Sequence, residues 1–114
     1  MSRSSPEHPA RRRQHAVVFA ALSDETRLSL VSALAGGRAR SIAQLTDGSR
    51  LTRQAITKHL RVLEGAGLVR SSRLGRESRF ELDAQPLAEL RAYLERVSEQ
   101  WDQALSRLKT FVEG

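Results

Sequence analysis

With 114 residues and a mass of 12.7 kDa, the chain has room for one ordinary domain. Hydrophobic residues make up 39% and charged residues 28%, the balance of a folded chain rather than a disordered one. No apolar run approaches the roughly 18 residues of a membrane span, residues 1–15 lack the apolar stretch of a signal peptide, and the expected compartment is the cytoplasm. The absence of cysteine excludes disulfides, thiolate metal sites and thiol catalysis.

Residues 1–11, with two prolines and several small polar side chains, are expected to form a flexible tail ahead of a domain over 12–114. Arg11, Arg12 and Arg13 read as the solvated start of a helix. Ala16 to Leu22 is apolar nearly all round, which predicts a short first helix buried on several sides. Ser23-Asp24 supplies the cap of a second helix, with Glu25 in its first turn and Leu28, Leu30, Val31, Leu34 and Ala35 as its stripe. Gly36-Gly37 ends it. Ser41 caps a short third helix with Ile42, Ala43 and Leu45 inward, and Asp47-Gly48-Ser49 marks a turn.

Thr52 then caps a fourth helix, whose inner face is Ile56, Leu60, Leu63 and Ala66 and whose natural end is Gly67. Two short alternating runs, 68–73 and 78–82, flank Leu74-Gly75-Arg76-Glu77. This predicts a β-hairpin with Phe80 and Leu82 facing the core. Pro86 opens the last helix, in which Leu87, Leu90, Leu94, Val97, Trp101, Ala104, Leu108 and Phe111 recur at three- and four-residue steps. At 1.5 Å per residue this helix is about 42 Å long, more than one small domain can cover. The uncovered stripe predicts a dimer, joined through the last helix and the apolar first one. The expected interface residues are Val17, Val18, Phe19, Leu90, Leu94, Val97, Trp101, Ala104, Leu108 and Phe111.

Charge adds a partner. Lys and Arg number 19 against 13 Asp and Glu, a net of +6, with a pI of about 11.2. All but Lys58 and Lys109 of these cations are arginine, the cation suited to bidentate phosphate and guanine contacts. Residues 50–79 carry eight cations and two anions, whereas residues 85–114 carry four and five. A basic stripe confined to one third of the chain favours a polyanion.

The predicted order of four helices, a basic hairpin and a long helix is the layout of a winged helix-turn-helix, mainly α with a small β-hairpin. In that layout the fourth helix enters the major groove of double-stranded DNA. Arg53, Gln54, Thr57, Lys58 and Arg61 form its outer face, opposite the apolar one. Arginine suits guanine, glutamine suits adenine, and threonine meets either base or a thymine methyl. Arg50, Thr52 and the hairpin's Arg73, Arg76 and Arg79 are placed on the backbone or the adjacent minor groove.

The stretch Ala21-Leu22-Ser23-Asp24-Glu25-Thr26-Arg27 resembles the helix-boundary signature of bacterial ArsR-type winged-helix repressors. Ala55-Ile56-Thr57-Lys58-His59-Leu60-Arg61-Val62-Leu63 resembles their recognition-helix signature, and Ala66-Gly67-Leu68-Val69 continues into the strand as theirs does. The resemblance covers residues 12 to 113. It implies a homodimer that binds a two-fold symmetric operator and blocks transcription, with the first and last helices at the dimer interface. Metal control is not carried over, because the third helix holds no thiol and the last helix no histidine; no metal and no cofactor are expected.

His8 and His15 read as inert, and His59 as packed or beside a phosphate. No nucleophile–base arrangement, phosphate-cradling loop or paired-carboxylate cleft appears, so an enzyme is not expected. Two other classes stay open: a winged helix whose basic face meets an acidic protein, and a sensor with a small-molecule effector between helices.

Overall fold

A computed structural model of the chain describes residues 8–113; the parts of the expected tail before residue 8, and Gly114, lie outside them. The elements run α1 (Pro9–Leu22), α2 (Glu25–Leu34), β1 (Arg40–Ser41), α3 (Ile42–Thr46), α4 (Arg53–Gly65), β2 (Val69–Leu74), β3 (Glu77–Leu82) and α5 (Gln85–Glu113). α1 thus begins within the expected tail. Pro9 stands at its start, where a missing N–H is harmless, and His8 Nδ1 accepts from the Ala10 amide at 3.1 Å.

The starts of α2, α3 and α4 follow from their caps. Asp24 accepts from the Arg27 amide, Ser41 and Gln44 close a reciprocal capping box, and Thr52 accepts from the Ala55 amide. α4 ends on Gly67 at φ +78°, where the Leu68 amide returns to the Leu63 carbonyl at 2.9 Å. The chain can then reverse directly into β2.

The sheet has three antiparallel strands in the order β1-β3-β2, one more than the hairpin the sequence predicts. β1 is only two residues long, pairing Arg40 with Phe80 and Ser41 with Arg79. In the hairpin, Leu74 pairs with Glu77 around Gly75, which takes φ +63°.

The core gathers Leu30 and Leu34 of α2, Ile56, Leu60 and Leu63 of α4, and Leu68, Val69 and Phe80. Leu34, Leu60, Leu63, Leu68 and Phe80 are fully sealed, each contributing about 1.5–3 kcal/mol of apolar burial. Leu82 packs at the edge, while Leu28, expected in the α2 stripe, stays half exposed.

Three expectations for the terminal helices are corrected. α1 is not buried on several sides: His15, Val18 and Ala21 face inward, and Val17 and Phe19 remain open. Val18 and Leu90 are spent inside the protomer, at 1% and 5% exposure, so neither is free for a partner. His15 is not an inert tail residue; it is buried with its ring 4.6 Å from that of Tyr93, joining α1 to α5. Leu90 is the one buried residue among those described in α5. Past its contact with α1 at Tyr93 the helix projects from the rest of the fold and stretches the molecule to 66 Å in a body only 32 × 21 Å across. No described helix is long and apolar enough to cross a membrane.

Candidate nucleic-acid interface

α4 separates its two tasks by face. Ile56, Leu60 and Leu63 seal against the core, while Arg53, Gln54, Lys58 and Arg61 stand exposed on the other side. The helix is therefore anchored by its apolar face and offers hydrogen-bond donors to the outside on the other.

The hairpin completes this surface. Arg53, Gln54 and Thr57 line a groove of about 370 Å³ together with Arg76 at the hairpin tip and Ser41 at the start of α3. Two guanidinium groups, an amide and the hydroxyls of Thr57 and Ser41 thus converge from elements distant in sequence, with Ser78 and the Glu77 carboxylate on the same lining. The Thr57 hydroxyl donates to the Arg53 carbonyl at 2.7 Å, which leaves its oxygen as an acceptor for the groove. Thr52 is held in the same way by its cap, accepting from the Ala55 amide at 3.1 Å, so its remaining hydroxyl proton is the one available to a phosphate.

The other expected DNA contacts spread around this centre. Arg50 is exposed in the connection before α4 and lines a separate groove of about 610 Å³ against α2, with Glu25 and Asp47 nearby. Ser49 serves that connection: its hydroxyl accepts from the Leu51 amide at 3.0 Å. Arg73 is exposed on β2, whereas Arg79 on β3 is half-buried and donates to Glu77 at 2.9 Å. Lys58 is exposed on α4.

Arg61 has a partner the sequence did not reveal. It donates to Glu64 at 2.8 Å, and its guanidinium stands 5.6 Å from the centre of the Phe80 ring. Glu64 also accepts from the Ser71 hydroxyl at 2.7 Å. The Ser71 hydroxyl first, and then the Arg61 guanidinium, hold the Glu64 carboxyl below its ordinary value. Arg61 therefore joins α4 to the hairpin, and reading a base would require it to leave that carboxylate.

A second cluster escaped the sequence reading. Asp24 caps α2, Arg27 leaves that helix towards the end of α1, and His59 reaches across from α4. The Arg27 amide is the chief cause holding the Asp24 carboxyl low. These side chains lie in the two segments that carry the family resemblance, but their meeting spans 32 positions and leaves no local pattern. Among the described residues, no group of three metal-ligating side chains converges.

Known proteins share this fold. Residues 22–72 match the family model described as a helix-turn-helix domain. The HTH-type transcriptional regulator Rv2034 of Mycobacterium tuberculosis is 36% identical over 94 residues, 82% of this chain and 84% of that protein. The HTH-type transcriptional regulator YuzN of Bacillus subtilis is 40% identical over 80 residues, 64% of this chain and 86% of its own. An ArsR-like transcriptional regulator from Rhodococcus sp. RHA1 superposes with a TM-score of 0.78 at 38% identity, covering 90% of this chain and 95% of that one. The chain belongs to the ArsR family of helix-turn-helix transcriptional regulators. As an ArsR-family member it is a winged helix-turn-helix protein, with α3 and α4 as the helix-turn-helix and β2–β3 as the wing.

Proposed function

We propose that this ArsR-family regulator binds a two-fold symmetric operator duplex as a homodimer and represses transcription there. The observation that carries this reading is the groove in which Arg53, Gln54 and Thr57 of α4 meet Arg76 of the wing. Its donors match what the major-groove edges of guanine and adenine accept, and Arg76 supplies charge for the adjacent backbone or minor groove. Lys58 shares the face turned to the major groove, and Arg50, Thr52, Arg73 and Arg79 add backbone or minor-groove contacts on either flank. In this reading the protein acts on the duplex by binding it rather than by turnover, in the cytoplasm, as the transcriptional regulators it resembles suggest.

The bare apolar edge of α5 supports the dimer. Leu94, Trp101, Leu108 and Phe111 are 44%, 63%, 57% and 83% exposed in the protomer. With Val97, Ala104 and the open Val17 and Phe19 of α1, they form a surface that a second copy would dry. Two recognition helices joined in this way would meet half-sites about 34–36 Å apart, one helical turn.

Selection of bound sites from random duplexes, followed by titration at several salt concentrations, tests the reading. The expected result is a palindromic site and a steep log–log salt dependence. Binding that is equal for every duplex, or a selected site without symmetry, would overturn it.

A further inference from the structure

Arg27 makes contacts with three elements at once. Its backbone amide donates to Asp24 Oδ2 at 3.1 Å, within the start of α2. Its Nε donates to the Ala21 carbonyl at 2.6 Å, and its Nη2 to the Ala20 carbonyl at 3.4 Å, in the last turn of α1. The Ala21 carbonyl lies past the last donor of its own helix and carries the negative end of the dipole, whereas the Ala20 carbonyl already accepts from the Ser23 amide at 3.2 Å and hydroxyl at 2.7 Å, so the guanidinium is chiefly the partner of Ala21. The third arm, Nη1, lies 3.2 Å from His59 Nδ1, in the middle of α4.

As a hydrogen bond, this last contact requires one particular tautomer of the imidazole. A guanidinium has only donors, so Nδ1 must accept, which leaves the proton of a neutral ring on Nε2. The same Nδ1 is 3.7 Å from Asp24 Oδ2, beyond hydrogen-bond reach but close enough for an ion pair once the ring is charged. Arg27 and Asp24 are the charged groups facing the ring from α2, and α1 presents the carbonyls that Arg27 occupies. Protonation would therefore take the acceptor away from Arg27 and turn His59 towards Asp24. Val17 and Phe19, open on α1 just before these carbonyls, belong to the proposed dimer surface. The Arg27 contact thus lies between that surface and the helix that reads DNA.

We propose that Arg27 is a positioning residue for DNA binding, tying α4 to the end of α1 through His59 Nδ1, and that the tie holds only while the imidazole is neutral. This rests on the proposed function above. The tie sets the angle of the recognition helix relative to the dimer axis, and so governs discrimination between the operator and other duplexes. Phosphate attraction does not depend on it.

The test has one arm without DNA and one with it. Ring nitrogen NMR of the free protein at about pH 8, where histidine side chains are largely neutral, should find the His59 proton on Nε2. A proton on Nδ1 would overturn the proposal whatever the protein does with DNA. In the second arm, affinities are measured for the selected duplex and for a random one, and their ratio is followed from about pH 8 to about pH 5.5, the range in which histidines change charge. The ratio should fall roughly tenfold in the unaltered protein, the scale of one charge-assisted hydrogen bond. His59→Asn, whose amide oxygen can accept from Arg27 at every pH, should keep a high, flat ratio. Arg27→Lys, which cannot bridge both helices, should give a low, flat one.

A ratio independent of pH in the unaltered protein, or a His59→Asn profile that follows it, would overturn the proposal while leaving DNA binding standing. If Arg27→Lys does not fold, the other two profiles and the tautomer decide the matter. Failure to bind any duplex would overturn the proposed function as well, and the DNA-free arm tells the two failures apart.

Discussion

Arg61 and Glu64 lie one turn apart on α4 and meet at 2.8 Å, and through Ser71 the same carboxylate reaches β2 at 2.7 Å. A recognition helix and its wing are thereby joined by an anion placed in the most basic third of the chain. Glu64→Gln removes that anion. At neutral pH the variant should lose about 0.5 kcal/mol of stability, the scale of an exposed pair, yet bind all duplexes more tightly because a repelling charge is gone. Urea unfolding and salt titrations read the two effects, which have opposite signs.

The same carboxylate predicts a pH dependence. Its folded pKa is lowered from 4.5, so its contribution is present above that value and is lost as the pH falls through the lowered one. Glu64→Gln and the unaltered protein should therefore differ in melting temperature near neutrality and converge in acid. A gap that widens on acidification would contradict the assignment.

Within the proposed interface, Gln54→Ala and Arg76→Ala should fail in different ways. The first should cost about 1–3 kcal/mol at one base position and relax specificity there. The second should weaken all sequences alike and reduce the salt slope by about 1. Arg61→Ala, with its guanidinium already committed to Glu64, should change specificity less than Gln54→Ala. Competition binding with single-base operator variants separates the three.

Leu90 and Leu108 occupy the same stripe of α5 but face different neighbours. Leu90 is buried in its own protomer and Leu108 is 57% exposed. Leu90→Ala should destabilise the fold by about 2–5 kcal/mol. Leu108→Glu should leave the protomer's far-ultraviolet circular dichroism intact while sedimentation shows a monomer. Trp101 fluorescence should shift to the blue with rising concentration in the unaltered chain and stay unshifted in Leu108→Glu.

Phe80 and Leu74 make a similar contrast in the sheet. Phe80 is fully sealed, so Phe80→Ala should cost about 3–5 kcal/mol, enough to unfold much of a domain this small. Leu74, 61% exposed at the wing tip, should tolerate alanine within about 0.5 kcal/mol. Chemical denaturation of both variants checks the difference.

Much of this was legible from local rules. The caps at Asp24, Ser41 and Thr52, the turn at Gly67 and the periodic faces of α4 and α5 each state their structure within a few residues. β1 was not legible, because a strand of two residues has no alternation to read. An apolar stripe also does not say whose core it enters. Val18 and Leu90 turn inward while Phe19 and Leu108 stay out, and only packing in three dimensions divides them. The ties from Arg61 to Glu64 and from Arg27 to His59 depend on side-chain reach and on contacts across the fold. For the same reason the outer face of α4 could be listed from spacing, but its convergence with Arg76 could not.

The short strand β1 has a mechanical effect out of proportion to its length. Ser41 is at once a rung against Arg79 and the cap of α3, and the β3 strand it pairs with is also the inner leg of the wing. Helix-turn-helix and wing are therefore laced together along one seam, and neither can be re-aimed without dragging the other. In the proposed dimer, two such heads would act like a calliper with stiff jaws, gripping a duplex through the gap between them rather than through any change in the shape of each jaw.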